Sequence, residues 1–417
     1  MQENFLLNEG YQNGKLFFDK GYGQYIYCKD KKFLDLSCCA GTLILGHNSS
    51  ILRNSVKDIL KMKISNFASI NNQAVEYSKT LKKILKNYSK FIMCNSGTES
   101  INKGLRICRA ITNKRLIVSV EGSWHGSADE TLYIKRKGRK KKISDGLYSK
   151  SNEILFIPYN DIKLSKKILD ENKKKIMCIL IEPIQACLPL EDAKKYLKFL
   201  YNYSKKNNLI LFFDEMITGL RSDGKSVQQL FNIHPDISTF GKCFGGGVPL
   251  GFVSITKKLE NKIKEKKLRI FFGGTFSANA INMYIADNTL KYIYKNKKKI
   301  FKKVNLFANY FEKKLNNFFK RNNLDLQIIK FKSMVRIVFS SKLVQNRYQR
   351  DFLETNKNKK IELFKLNLQK NKIYYPGNGT IFFNYAMNKN DLDYLIKVIQ
   401  KNAIKFFYKK PKKFELY

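Results

Sequence analysis

The sequence predicts an α/β fold built on a mainly parallel sheet. Three observations carry this reading. Short, continuous apolar runs recur through the middle of the chain. Stretches with helical apolar spacing separate several of them. Segments rich in glycine and small polar residues follow four of the expected strands, at the sheet edge where α/β proteins bind ligands.

Taken in order, residues 22–36, YGQYIYCKDKKFLDL, read as two short strands around a turn at 29–32. Residues 51–62 carry apolar side chains at helical spacing. From residue 90 onward strand and helix alternate. Apolar runs stand at 90–94, 116–120, 154–157, 176–181, 209–213 and 251–255, with helical stretches such as 193–206 between them. Beyond residue 300 the chain is helical and Lys-rich, then strand-like at 333–340 and 380–385. The expected organisation is a large α/β domain at 65–300 and a smaller α+β domain assembled from 1–64 and 301–417.

At 417 residues the chain is long enough for one large core and a satellite. An apolar share of 43% excludes general disorder. The net charge of +45 is unusual. It suits a nucleic-acid-binding protein, or a surface that Lys fills indifferently. The second reading is preferred: runs such as Lys173 to Lys175 fall on expected helix faces and ends, and no nucleic-acid motif accompanies them. The eight cysteines contain no CxxC, and the three histidines are too scattered to complete a zinc site. Reduced thiols and no metal are expected. No signal core or membrane-spanning run is present, so a cytoplasmic protein with no membrane contact is expected.

Four segments hold candidate chemistry. NSGTES, 95–100, follows a strand and opens a helix. Ser96, Gly97 and Thr98 there form either a plain helix cap or a phosphate cradle of backbone N–H groups and hydroxyls. EGSWHGSAD, 121–129, holds the single tryptophan, Trp124, either a core residue or an aromatic that stacks on a flat ligand. His125 beside it reads as structural. LILFFDEMITGLRSD, 209–223, delivers Asp214 and Glu215 to the sheet edge. An unpaired charge is costly to bury there, so Asp214 must be paired or functional, for example against a protonated pyridine nitrogen. ISTFGKCFGGGVPLGF, 237–252, sets Lys242 among Phe240, Cys243 and Phe244 before three glycines. Desolvation favours the neutral amine, the form that attacks an aldehyde.

Together, in this order, NSGTES, EGSWHG, FFDEMITGLR and FGKCFGGGVPLG closely resemble class III aminotransferases, especially those similar to glutamate-1-semialdehyde aminomutase. LILGH at 43–47, IEPIQ at 181–185 and GGTFSANA at 273–280 extend the likeness over residues 20–290. The resemblance implies a pyridoxal-phosphate enzyme of fold type I, with a seven-stranded, mainly parallel sheet. It implies Lys242 as the Schiff-base lysine and proton carrier, and Asp214 on the ring nitrogen. Gly97 and Thr98, with Ser96, would hold the phosphate, and Trp124 would stack on the ring. Gln185 would hold the ring hydroxyl, with Glu182 in the same motif. Thr275 would reach the phosphate of a neighbouring subunit, which implies a homodimer. The expected activity is ping-pong transfer from an amino-acid donor to a carbonyl substrate.

The departures matter. Relatives that act as aminomutases carry a Ser and an Arg near the N-terminus, and NEGYQNGKLFF at 8–18 lacks that pattern. GTxSGNP appears as GTFSANA. The glycine usual after Ser333-Met334 is replaced, in a stretch that brings in Arg336 as a candidate for a substrate carboxylate or phosphate. An aminotransferase is therefore preferred over intramolecular amino transfer. The run KRKGRKKK, 135–142, is either a solvated surface loop or a cationic rim that collects an anionic substrate.

Overall fold

The computed structural model describes residues 16–136 and 139–408. Its centre is a seven-stranded sheet: β1 (Lys90–Cys94), β2 (Leu116–Val120), β3 (Ile154–Ile157), β4 (Ile176–Ile181), β5 (Ile210–Asp214), β6 (Ile237–Gly241) and β7 (Gly251–Ile255). The spatial order is β1-β7-β6-β5-β4-β2-β3. β7 runs antiparallel to both neighbours, and the other pairings are parallel. The carboxyl ends of the six co-directional strands therefore share one edge.

The runs read from sequence form strands at the expected places, with β5 one residue later than 209–213. That shift puts Asp214 inside the strand. β6 is the short run that precedes Lys242, less evident in the sequence than the others. Ser238 and Thr239 interrupt its apolar run, yet both are fully buried. Their hydroxyls find partners inside: Ser238 Oγ lies 2.6 Å from the Tyr88 hydroxyl, and Thr239 Oγ1 donates to Asp214 Oδ1 at 3.2 Å.

Both faces of the sheet are covered. On one, Leu180, Phe212 and Val253 pack with Ile101, Leu105 and Cys108 of the helix Gly97–Thr112. On the other, Ile181, Leu211 and Phe213 pack with Tyr196, Leu197 and Leu200 of the helix Lys194–Lys206. The alternation of Phe212 and Phe213 between the two cores is the period of a strand buried on both sides. Helix Gly97–Thr112 comes unusually close to the sheet at Gly104: a Cβ there would lie 2.4 Å from Phe212 Cζ.

Residues from both ends of the chain meet in one sheet, where Lys20–Tyr22, Tyr25–Cys28 and Lys31–Asp35 are joined by Ile373–Tyr374. A three-stranded sheet, Gln327–Phe331, Met334–Val338 and Thr380–Phe382, packs with helices Lys297–Arg321 and Lys389–Phe407. The basic run, expected as a loop, belongs to a hairpin of Tyr133–Arg136 and Arg139–Lys142; Lys137 and Gly138 lie outside the described residues. Lys135 pairs with Glu121 at 2.7 Å, and Lys140 donates to the carbonyls of Ser151 and Ile154.

Gly104→Val is expected to destabilise the protein by about 1–3 kcal/mol through overpacking against Phe212. Thermal denaturation measures it, and an unchanged or raised Tm contradicts the close approach.

Candidate active site

Five strand ends build the site. After β1, Asn95 N–H donates to Glu99 Oε2 at 2.7 Å, and Ser96 Oγ accepts from Glu99 N–H at 3.1 Å. Ser96 is thus the helix cap. The N–H groups of Gly97 and Thr98 find no acceptor among the described residues, as expected in a first helical turn. Gly97 and Thr98 line a cavity of about 490 Å³.

After β2, residues 121–127 return to this helix. Ser127 N–H donates to Thr98 Oγ1 at 3.1 Å. The turn depends on Gly126, at φ +80°, where a Cβ would lie 2.5 Å from Thr98 Oγ1. Trp124 is not a core residue: it is 56% exposed and lines the cavity. Its backbone N–H donates at 2.7 Å to Oε1 of Glu182, which follows β4. Glu182 also accepts from Ala186 N–H at 3.3 Å, and burial pushes its carboxyl above the usual range.

Asp214, at the end of β5, lines the cavity and is 5% exposed. His125 Nδ1 lies 2.8 Å from its Oδ2, while Thr239 Oγ1 and Met216 N–H donate to its Oδ1. Facing a carboxylate, Nδ1 is the protonated nitrogen of that imidazole. The sequence reading left His125 structural. A lone histidine beside Trp124 carried no signal of a partner 89 positions away.

After β6, Lys242 turns into the cavity from a left-handed position, φ +46°. Burial lowers its ammonium pKa, against the opposing pull of Asp214 and Glu182. The amine is biased toward its neutral, nucleophilic form.

Not every candidate meets here. Gln185 is fully buried outside the cavity lining, its amide donating to the Glu121 carbonyl at 2.8 Å and Ser123 Oγ at 3.1 Å. Thr275 is exposed on an irregular segment, and Arg336 sits behind the cavity on strand Met334–Val338. The lining includes residues that sequence reasoning missed: Ala40, Met216, Cys187, Arg347, Arg350 and Asn378. In so Lys- and Arg-rich a chain, two arginines three apart on a helix had nothing to single them out.

The profile of the family described as Aminotransferase class-III matches residues 6–359. The chain belongs to the class III aminotransferase family. The chain is 28% identical over 395 residues to glutamate-1-semialdehyde 2,1-aminomutase 2 of Lachnoclostridium phytofermentans, covering 92% of this chain and 91% of the relative. It is 29% identical to glutamate-1-semialdehyde 2,1-aminomutase of Caldicellulosiruptor bescii, covering 92% and 89%. Its fold matches a glutamate-1-semialdehyde-aminomutase from Pseudomonas aeruginosa PAO1 with a TM-score of 0.85 at 15% identity, over 94% of this chain and 88% of that one. It matches an omega-transaminase from Sphaerobacter thermophilus with a TM-score of 0.83 at 20% identity, over 94% and 91%.

The fold is type I of the pyridoxal-phosphate-dependent transferases, as the sequence implied, and the cofactor of this family member is pyridoxal 5′-phosphate. The residues present fit that group. They offer untaken N–H groups at a helix start, a carboxylate on the cavity wall and a lysine biased toward neutrality. Among the described residues no helix is long and apolar enough to cross a membrane.

Gly126→Ala is expected to raise the Kd for pyridoxal phosphate at least about tenfold, because the strained backbone and the clash with Thr98 displace the cradle. Fluorescence titration of the apo-protein measures it, and an unchanged Kd removes Gly126 from cofactor binding.

Proposed function

We propose that the protein is an aminotransferase that takes an amino group from an amino-acid donor and delivers it to a carbonyl substrate in two half-reactions. One observation carries the reading: Lys242, Asp214 and the open helix start at Gly97 and Thr98 line a single cavity.

When bound, the cofactor supplies an aldehyde for the amine and a ring that withdraws electrons from the substrate Cα. Lys242 would hold the cofactor aldehyde through its Nζ and would move a proton at the substrate Cα. Asp214 keeps the ring nitrogen protonated. His125 Nδ1 and the Thr239 hydroxyl donate hydrogen bonds to that carboxylate and fix its orientation for the task. Gly97 and Thr98 bind the phosphate through backbone N–H groups and the Thr98 hydroxyl. Trp124 covers the ring from the wall it lines, and Glu182 anchors that wall through the Trp124 N–H. Gln185 holds the carbonyl of Glu121 and Ser123 Oγ, so it acts on the ring through the 121–123 segment.

Intramolecular transfer is the second reading, favoured by the names of the relatives. Against it stands the stretch 8–18, which has no arginine; its residues 8–15 lie outside the described residues. The active form in this proposal is a homodimer in which Thr275 serves the neighbour's phosphate. Thr275 is flanked by exposed Phe271 and Phe276, and Asn71 Nδ2 ties the same segment at Ala278 to the stretch bearing exposed Phe67 and Ile70. An apolar surface of this kind is suited to burial against a second copy.

Borohydride reduction followed by peptide mapping is expected to place the cofactor on Lys242, and Lys242→Ala to abolish turnover while the fold survives. Label on another lysine sinks the assignment. Asp214→Asn is expected to lower kcat about 100-fold or more with little loss of Tm; activity within about threefold of wild type contradicts its role. A half-reaction screen separates the two readings. An aminotransferase needs separate donor and acceptor, whereas an aminomutase converts one compound alone. Sedimentation velocity is expected to show a dimer, and a fully active monomer excludes sharing of Thr275.

A further inference from the structure

Two arginines stand at one corner of the cavity with a third behind them, and their charge is only partly answered. Arg347 and Arg350 both line it, one turn apart on the helix Arg347–Glu354, whose start is capped by Asn346. Arg347 lies against the backbone of the Trp124 segment. Its Nη1 donates to the Gly122 carbonyl at 3.1 Å, and a Cβ on Gly122 would come within 2.7 Å of Arg347 Cβ. Arg350 Nη1 donates to the Cys187 carbonyl, and Cys187 Sγ in turn donates to the Gly122 carbonyl at 3.3 Å. Arg336 stands behind them, 8% exposed, with Nη1 on the carbonyl of cavity-lining Asn378 and a buried Nε that has no hydrogen-bond partner among the described residues.

Two carboxylates answer these three cations. Asp351 pairs with Arg350 and, at 3.4 Å, with Arg347 Nε. Glu354 pairs with Arg350 Nε at 3.4 Å and also accepts from Phe339 N–H at 3.1 Å. Both carboxylates are thus engaged by Arg350. Arg336 has no carboxylate partner among the described residues, and Arg347 Nη2 has no hydrogen-bond partner there. Burial, and then the charge of Arg350, lower the pKa of Arg336. A planar guanidinium with an untaken edge on a cavity wall is matched to a carboxylate or phosphate.

We propose that this corner is an oxoanion subsite: the substrate carries a carboxylate or phosphate besides its reacting amino or carbonyl group, and Arg347 binds it. Arg350 is the positioning residue that fixes the helix on the Cys187 carbonyl, and Arg336 adds charge from behind. The subsite rests on the aminotransferase reading of Lys242, which supplies the reacting end. It replaces the sequence expectation that Arg336 itself contacts substrate.

The test uses holoenzyme and three primary amines of matched length, ending in a carboxylate, a phosphate or a methyl group. The rate at which each removes the visible absorbance of the bound cofactor is read for wild type, Arg347→Gln and Arg347→Lys. Titration calorimetry with succinate and with inorganic phosphate reads the subsite without any reaction. Wild type is expected to prefer one anionic amine over the neutral one, and the better arm identifies the oxoanion. Arg347→Gln is expected to slow that arm at least tenfold, through KM more than kcat, while the neutral amine stays within threefold. Arg347→Lys, which keeps charge but not the fork, is expected to fall between. It serves as the readable variant should Arg347→Gln lose its cofactor. Equal losses on all three amines, or no loss on any, overturn the subsite. If no amine reacts with wild type, the function proposed for Lys242 fails by itself. Calorimetry then decides the subsite: weaker anion binding in the Arg347 variants supports it, and unchanged binding overturns it.

Discussion

The contact between Asp214 and His125 is the interaction on which the site depends. A carboxylate at the end of a strand buried on both faces is costly unless its oxygens are engaged. Here one oxygen takes His125 Nδ1 at 2.8 Å, and the other takes the Thr239 hydroxyl and the Met216 N–H. Each partner comes from a different segment: His125 follows β2, Thr239 lies in the middle of β6, and Met216 follows β5. Satisfying one carboxylate therefore fixes the mutual position of three segments, with β4 lying between β2 and β5. Lys242 follows β6 three residues beyond Thr239, so its place in the cavity is set by the same constraint.

A second buried charge supports the opposite wall. Arg221 is fully buried and pairs with no carboxylate among the described residues. It donates to the Gly41 carbonyl and to Ser333 Oγ, and its guanidinium lies 4.7 Å from the centre of the Phe382 ring. Cys243 Sγ also donates to the Gly41 carbonyl, at 3.2 Å. Residues 38–40 all have positive φ, and Ala40 from that strained turn lines the cavity. The strain is held by Asp35, whose oxygens accept from the Ser37 and Cys38 N–H groups, and by Arg221 on the far side. The N-terminal turn, the lysine-bearing turn and the C-terminal sheet thus converge on one guanidinium.

The periodic part of this architecture was legible in the sequence. β3 and β4 announce themselves as uninterrupted apolar runs, while β2 and β7 carry one buried serine each, Ser119 and Ser254, and β1 opens on exposed Lys90 before its apolar residues. β6 is less evident, since Ser238 and Thr239 look like solvent-facing residues until Tyr88 and Asp214 are known to meet them. The same distinction runs through the site. Lys242, Asp214, Gly97 and Thr98 sit at strand ends, where chain order alone implies a role. His125, Arg347, Arg350 and Asn378 reach the cavity only through tertiary packing, and no local pattern encodes their partners. Trp124 was ambiguous for a related reason: burial of a tryptophan is decided by what the loop beneath it does, here the bond from its own N–H to Glu182.

The chain's large positive charge is a poor guide to its chemistry, and the cavity explains why. Most of the lysines lie on exposed surface, where high dielectric and salt screen their influence. Inside, charge is sparse and segregated. Asp214 and Glu182 stand with Lys242, and Arg347 and Arg350 stand on the helix that packs against Gly122 and Cys187. Low dielectric strengthens every interaction in such a space. Two carboxylates beside the lysine repel an anionic group from that end, while the arginines attract it to theirs. For a substrate with an anionic group at the proposed subsite, this polarity would favour one orientation in the cavity, which the lysines outside do not determine.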